Sequence, residues 1–117
     1  MQYLLLIHHD EDQWEKLTES EKQKLYGGYR ELRLDLEKKD KFVGGSQLQP
    51  TSTATTVRIR DGKRAITDGP FAETKEQLAG YILVEADDQD DALAIAARIP
   101  SAETGAIVVR PVVPKTA

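Results

Sequence analysis

No cysteine occurs among the 117 residues. That excludes a disulfide framework, a thiolate nucleophile and a cysteine-ligated metal. No apolar run nears the roughly 20 residues of a bilayer-spanning helix; Tyr3–Ile7 and Ala92–Ala97 are the longest. Neither half of the chain is basic: residues 1–50 and residues 51–117 each carry 8 cationic and 10 acidic side chains, for a net charge of −4 overall. The electrostatic footprint of a nucleic-acid binder is therefore missing. Met1 leads into a strand-like run with neither a basic leader nor a small-residue cleavage site, so a cytoplasmic protein without membrane association is expected. Histidine is scarce, only His8 and His9, and no HxH or HExxH spacing occurs, so neither a metal nor another cofactor is expected. What remains is an ordinary globular composition of a size that suits one domain over 1–117.

Residues 2–8 alternate as a strand, with Tyr3, Leu5 and Ile7 on one face and Leu4, Leu6 and His8 on the other. A short helix is expected from Asp10 to Leu17. A second begins at Thr18, where Thr18 and Glu21 have capping-box spacing. Leu25, Tyr29, Leu32 and Leu36 form its apolar stripe. Gly27-Gly28 inside it reads either as a kink or piece boundary, or as a close backbone approach. Lys41–Leu48 reads as a strand whose Gly44-Gly45 pair marks a bulge or close contact. Thr55–Arg60 and Lys63–Thr67 flank Asp61-Gly62, a strong hairpin signal. Its pairing puts Val57, Ile59 and Ile66 on one face and Arg58, Arg60 and Lys63 on the other. Those cations either hold an anion or keep an exposed edge soluble.

Gln77–Ala86 is the next strand, with Leu78, Gly80, Ile82 and Val84 expected on one face and Ala79, Tyr81 and Leu83 on the other. Asp87-Asp88 caps a helix carrying the stripe Ala92, Ile95, Ala96 and Ile99, which Pro100 ends. Ala106–Val113 is the last strand. With the hairpin set aside, the order is β-α-β-β-α-β, a ferredoxin-like α+β arrangement with both helices on one face of an antiparallel sheet. Two helices cover one face only, yet the first and fifth strands are apolar on both. A second copy packed sheet to sheet about a two-fold axis would hide the reverse side. A homodimer is expected, with a pocket on the face away from the helices.

At Asp68-Gly69-Pro70-Phe71 the sequence becomes recognisable. The stretch DGPFAETKEQLAGYILVEADDQDDALAIAARIP, with GGSQLQPTSTATTVRIRDGKRAITDGPF upstream, the opening YLLLIHHDE and the closing VVRPV, resembles the DGPF family of YCII-related proteins over nearly the whole chain. The resemblance implies a dimeric ferredoxin-like α+β barrel and little about chemistry. Some relatives are encoded beside sigma factors of the extracytoplasmic-function type, which makes a sigma-factor partner an implication of the resemblance alone. A few are linked to lyase-like steps on aromatic substrates. A better-studied branch carries a helical histidine paired with an aspartate. Here that histidine would fall near Gly27-Gly28, and none follows His9. The dyad is absent and its chemistry does not carry over.

Two sets of residues remain as candidates. His8 and Asp10 share a face if the first strand stays extended, making a histidine–carboxylate pair suited to general base work. The other reading is an edge-of-core histidine followed by a solvated turn. In the DGPF segment, Asp68 suits an Asx turn, Gly69 a positive φ, Pro70 a fixed exit and Phe71 a plug onto the core. Alternatively Asp68, Glu73, Lys75 and Glu76 line the mouth of a pocket, with Gly44, Gly45, Gly69, Pro70, Phe71 and Tyr81 around it. Two functions follow. One is a dimeric small-molecule-binding or regulatory module with its pocket between sheet and DGPF loop. The alternative is a small lyase- or isomerase-like acid/base enzyme using His8 with Asp68 or Glu73.

Overall fold

The computed structural model describes residues 1–115. It contains strands β1 (Gln2–His9), β2 (Phe42–Gln47), β3 (Thr55–Arg60), β4 (Lys63–Asp68), β5 (Gln77–Glu85) and β6 (Ala106–Pro111), and helices α1 (Glu11–Glu15), α2 (Glu19–Lys38) and α3 (Gln89–Ala97). Four strands form one antiparallel sheet in the order β2-β5-β1-β6, while β3 and β4 form a two-stranded ribbon of their own. The arrangement is α+β and consistent with a ferredoxin-like fold.

Local chemistry explains the helix ends. Asp10 accepts from the amides of Asp12 and Gln13 and so caps α1. Thr18 and Glu21 exchange both bonds of a capping box at the start of α2. At the other end Lys41 N–H donates to Leu36 C=O (2.8 Å) and Asp40 N–H to Glu37 C=O (3.1 Å), a Schellman closure that puts Asp40 at φ 55°. Asp88 caps α3 through the Asp91 amide. The helix stops before Pro100, which opens a 3-10 turn over Pro100–Glu103.

The helices bury one face of the sheet. Tyr3, Leu5 and Ile7 of β1 and Ile82 and Val84 of β5 meet Leu32 and Leu36 of α2 and Ala92, Ile95 and Ala96 of α3. The glycine pair in α2 does not break it: the helix runs unbroken from Glu19 to Lys38. Gly28 is instead a close approach, since a β-carbon there would lie 2.8 Å from Pro100 Cγ. Two bulges shape the sheet. One leaves Val43 without a cross-strand partner. The other inserts Ala79 between Gly80, which pairs Ile7, and Leu78, which pairs His8. The extra residue reverses the alternation, so Leu78 stands with His8 on the reverse face and not, as the sequence suggests, with Ile82 and Val84. Leu78 is accordingly 39% exposed.

Asp61 (φ 52°) and Gly62 (φ 74°) both adopt the left-handed conformation that a two-residue type I′ hairpin turn requires. The resulting ribbon is exposed throughout except at Thr56, and Val57, Ile59 and Ile66 share one of its faces as expected. The radius of gyration, 16.2 Å, exceeds the roughly 13 Å of a compact chain of this length. The excess reflects that projecting arm.

Candidate functional site

The best-formed cavity holds about 210 Å³ and lies on the helix side of the sheet, between α1, α2 and the β2–β5 edge. A reverse-face pocket enclosed by two copies was the expectation from sequence; the cleft that one chain forms by itself is elsewhere. Its origin is local. Gly45 and Gly80 contribute no side chains to the wall, and a β-carbon on either would strike backbone of the neighbouring strand. Space therefore remains between the sheet edge and α2.

Rings fill the walls. His9 follows Ile7 by two residues, so alternation places it on the helix-facing side. It stacks on Trp14, with ring centroids 5.3 Å apart and planes 19° from parallel. Trp14 in turn meets Tyr26 edge-on at 5.9 Å, and the Lys22 ammonium sits 5.4 Å from the indole. At the far end the Arg33 guanidinium lies 4.9 Å from the Phe42 ring while pairing with Glu37. On the wall between, Tyr29 donates to Ser101 Oγ at 2.7 Å. Burial pushes the Tyr29 phenol up from its ordinary value, so it keeps its proton. Gln47 Nε2 donates to Tyr26 Oη at 3.4 Å. The polar groups are few and placed around an aromatic slot, which is the usual make-up of a ligand site.

Burial holds the His9 imidazole below its ordinary value near 6.5, against an opposing pull from the carboxylates of Glu11, Asp10 and Glu76. At neutral pH His9 is thus uncharged and able to accept a proton.

The residues proposed from sequence are dispersed. His8 lies on the reverse face, its Nδ1 3.3 Å from the Leu6 carbonyl oxygen. Asp10 is occupied as the α1 cap. Asp68 ends β4 at the root of the arm. Gly69 has the expected positive φ, 95°, and its N–H donates to Ala54 C=O. Phe71 does not plug the core: it is 77% exposed, with the Arg58 guanidinium 4.9 Å from its ring. Pro70, Glu73 and Lys75 are exposed alongside it, and Gly44 lies at the β2 bulge. Gly45 and Tyr81 border the cleft, although Tyr81 pairs with Leu6 and so alternates its side chain onto the reverse face, and Glu76 acts on His9 from the segment before β5. Trp14, Tyr26 and His9 escaped the sequence reading. The signal was present in the three-residue spacing of Tyr26 and Tyr29 and in the shared parity of Ile7 and His9.

The match to known proteins decides the family. The model of the YCII-related domain aligns with residues 1–116. The chain belongs to the YCII-related family. An uncharacterized protein of Rhizobium meliloti (strain 1021) is 33% identical over 113 residues, covering 95% of this chain and 91% of its own length. This YCII-related chain contains no helix among its described residues long and apolar enough to cross a membrane.

Proposed function

We propose that the protein is a homodimeric small-molecule-binding module of the DGPF branch, and that its ligand is a compact planar molecule held in the cleft between α2 and the sheet. The observation that carries this reading is the run of rings from His9 through Trp14 and Tyr26, with Tyr29 and Phe42 beyond. The volume is below the ~300–1,000 Å³ common among ligand pockets, which favours a small, flat occupant. Such a ligand stacks on aromatic faces and finds hydrogen bonds at His9, Gln47 and Ser101. The homodimer is supported by the reverse face of the sheet. There Leu4, Leu6 and Leu83 are only half-covered, Tyr81 and Val108 are exposed, and neither helix reaches them. A second copy would remove this apolar surface from water.

A second reading, a small lyase- or isomerase-like enzyme, draws support from the uncharged His9 imidazole in the cleft. In that reading His9 is the general base and Glu76 the nearby carboxylate, in place of His8 with Asp68 or Glu73.

Trp14 is the sole tryptophan, so its fluorescence reports on the cleft. Titration with a panel of phenols, aromatic carboxylates and fused-ring heterocycles is expected to give saturable emission changes for at least one class. Tyr26→Ala should weaken that binding at least tenfold. Failure of every class to perturb Trp14 would refute the binding site. Turnover of a bound compound that His9→Gln abolishes, with binding retained, would favour the enzyme.

A further inference from the structure

The arm formed by β3 and β4 lacks a physical reason to exist as it stands in one chain. Two-stranded ribbons are marginal in water by themselves, and this one exposes Val57, Ile59 and Ile66, each at 57%, on a single face. Scattered aliphatics of that exposure are ordinary. Here Val57 lies directly opposite Ile66, and Ile59 follows on the same side with Arg64 opposite it, which makes a short apolar strip with one cation at its end. The opposite face is cationic, with Arg58, Arg60 and Lys63. The root is anchored and the tip is not. The Glu11 carboxylate accepts from Thr51 N–H (2.9 Å) and Thr51 Oγ1 (3.0 Å), and the Glu11 amide donates to Gln77 Oε1 (2.9 Å). These bonds hold the base of the arm to β5 and the start of α1, and the remainder projects.

Charge identifies what the arm meets. Residues 55–68 carry four cations (Arg58, Arg60, Lys63 and Arg64) against two carboxylates (Asp61 and Asp68), a net of +2. The other residues hold 12 cations against 18 carboxylates, a net of −6. An arm that is positive and partly apolar belongs to a body that is negative and has an uncovered apolar sheet face. Two copies satisfy both needs reciprocally, since under two-fold symmetry each arm reaches the other body. We propose that the β3–β4 arm clasps a second copy of this chain, seating the Val57/Ile59/Ile66 strip on it while the arm's cations answer its excess of carboxylate. The inference rests on the homodimer proposed above and adds that the arm, beyond the sheet face, carries the contact.

Sedimentation velocity of the full chain over a wide concentration range tests this. The wild type is expected to be a dimer. Ile59→Glu with Ile66→Glu should raise its dissociation constant at least tenfold, as should Arg58→Glu with Arg60→Glu, with the far-ultraviolet dichroism unchanged. A photo-crosslinking amino acid at position 59 provides a test that does not depend on a destabilising substitution, and it should yield a covalent dimer. A wild-type dimer indifferent to both double variants, or an adduct formed only within one chain, would overturn the clasp and leave the homodimer standing. A wild-type monomer would overturn both, as would a monomer whose arm binds heparin or DNA.

Discussion

His9 shows how one residue's position converts burial into chemistry. Its folded-state proton affinity is lowered, chiefly by desolvation. The unfolded chain therefore binds a proton that the folded chain resists, so stability is full above the ordinary value near 6.5 and falls as pH drops below it. Chemical denaturation between pH 7.5 and 5 should show this loss, and His9→Gln should flatten that part of the profile. A nuclear magnetic resonance titration of the imidazole should give a midpoint below 6.5. Asp40 is a second case. A non-glycine residue at φ 55° is strained, so Asp40→Gly should stabilise by about 0.5–1 kcal/mol, read from the denaturant midpoint. Glu11 ties three segments together. Glu11→Ala should cost about 1–2 kcal/mol through lost charge-assisted bonds to Thr51 and should speed amide exchange at the arm's root.

At the scale of elements, α2 illustrates a helix whose two ends and one stripe are written locally. Leu36 is 1% exposed and faces the sheet, so Leu36→Ala should cost about 2–5 kcal/mol in urea unfolding. Removing the capping hydroxyl with Thr18→Ala should cost only about 1 kcal/mol. Gly28 makes the same point from the other side. Its missing side chain is the space that Pro100 occupies, so Gly28→Ala is expected to lower the melting temperature despite alanine's better helix propensity. Strand β5 is less legible. The expected alternation in Gln77–Ala86 holds from Gly80 onward and fails before it, at Leu78, because a bulge has no local sequence signature as strong as its effect.

For the whole molecule, the homodimer reading predicts a melting temperature that rises with protein concentration, because association stabilises the folded state by mass action. Differential scanning calorimetry across a hundredfold range of concentration should detect it. Much was legible without coordinates: the order of strands and helices, the two-residue hairpin at Asp61-Gly62, the caps at Thr18 and Asp88, and the core stripe of Ala92, Ile95, Ala96 and Ile99. These depend on periods of 2 and 3.6, on caps and on turns, which act over a few neighbouring residues. The cleft was not legible in the same way. His9, Trp14 and Tyr26 are brought against Gly45 and Gly80 only when β2 and β5 pair and α2 crosses them. The bulge at Ala79, which turns Leu78 to the reverse face, becomes visible only in the pairing of β5 with β1. Local sequence thus determined which segments became helix or strand and which faces were apolar. Tertiary pairing alone decided where glycines met rings and left a cavity, because that depends on contacts between residues far apart in the chain.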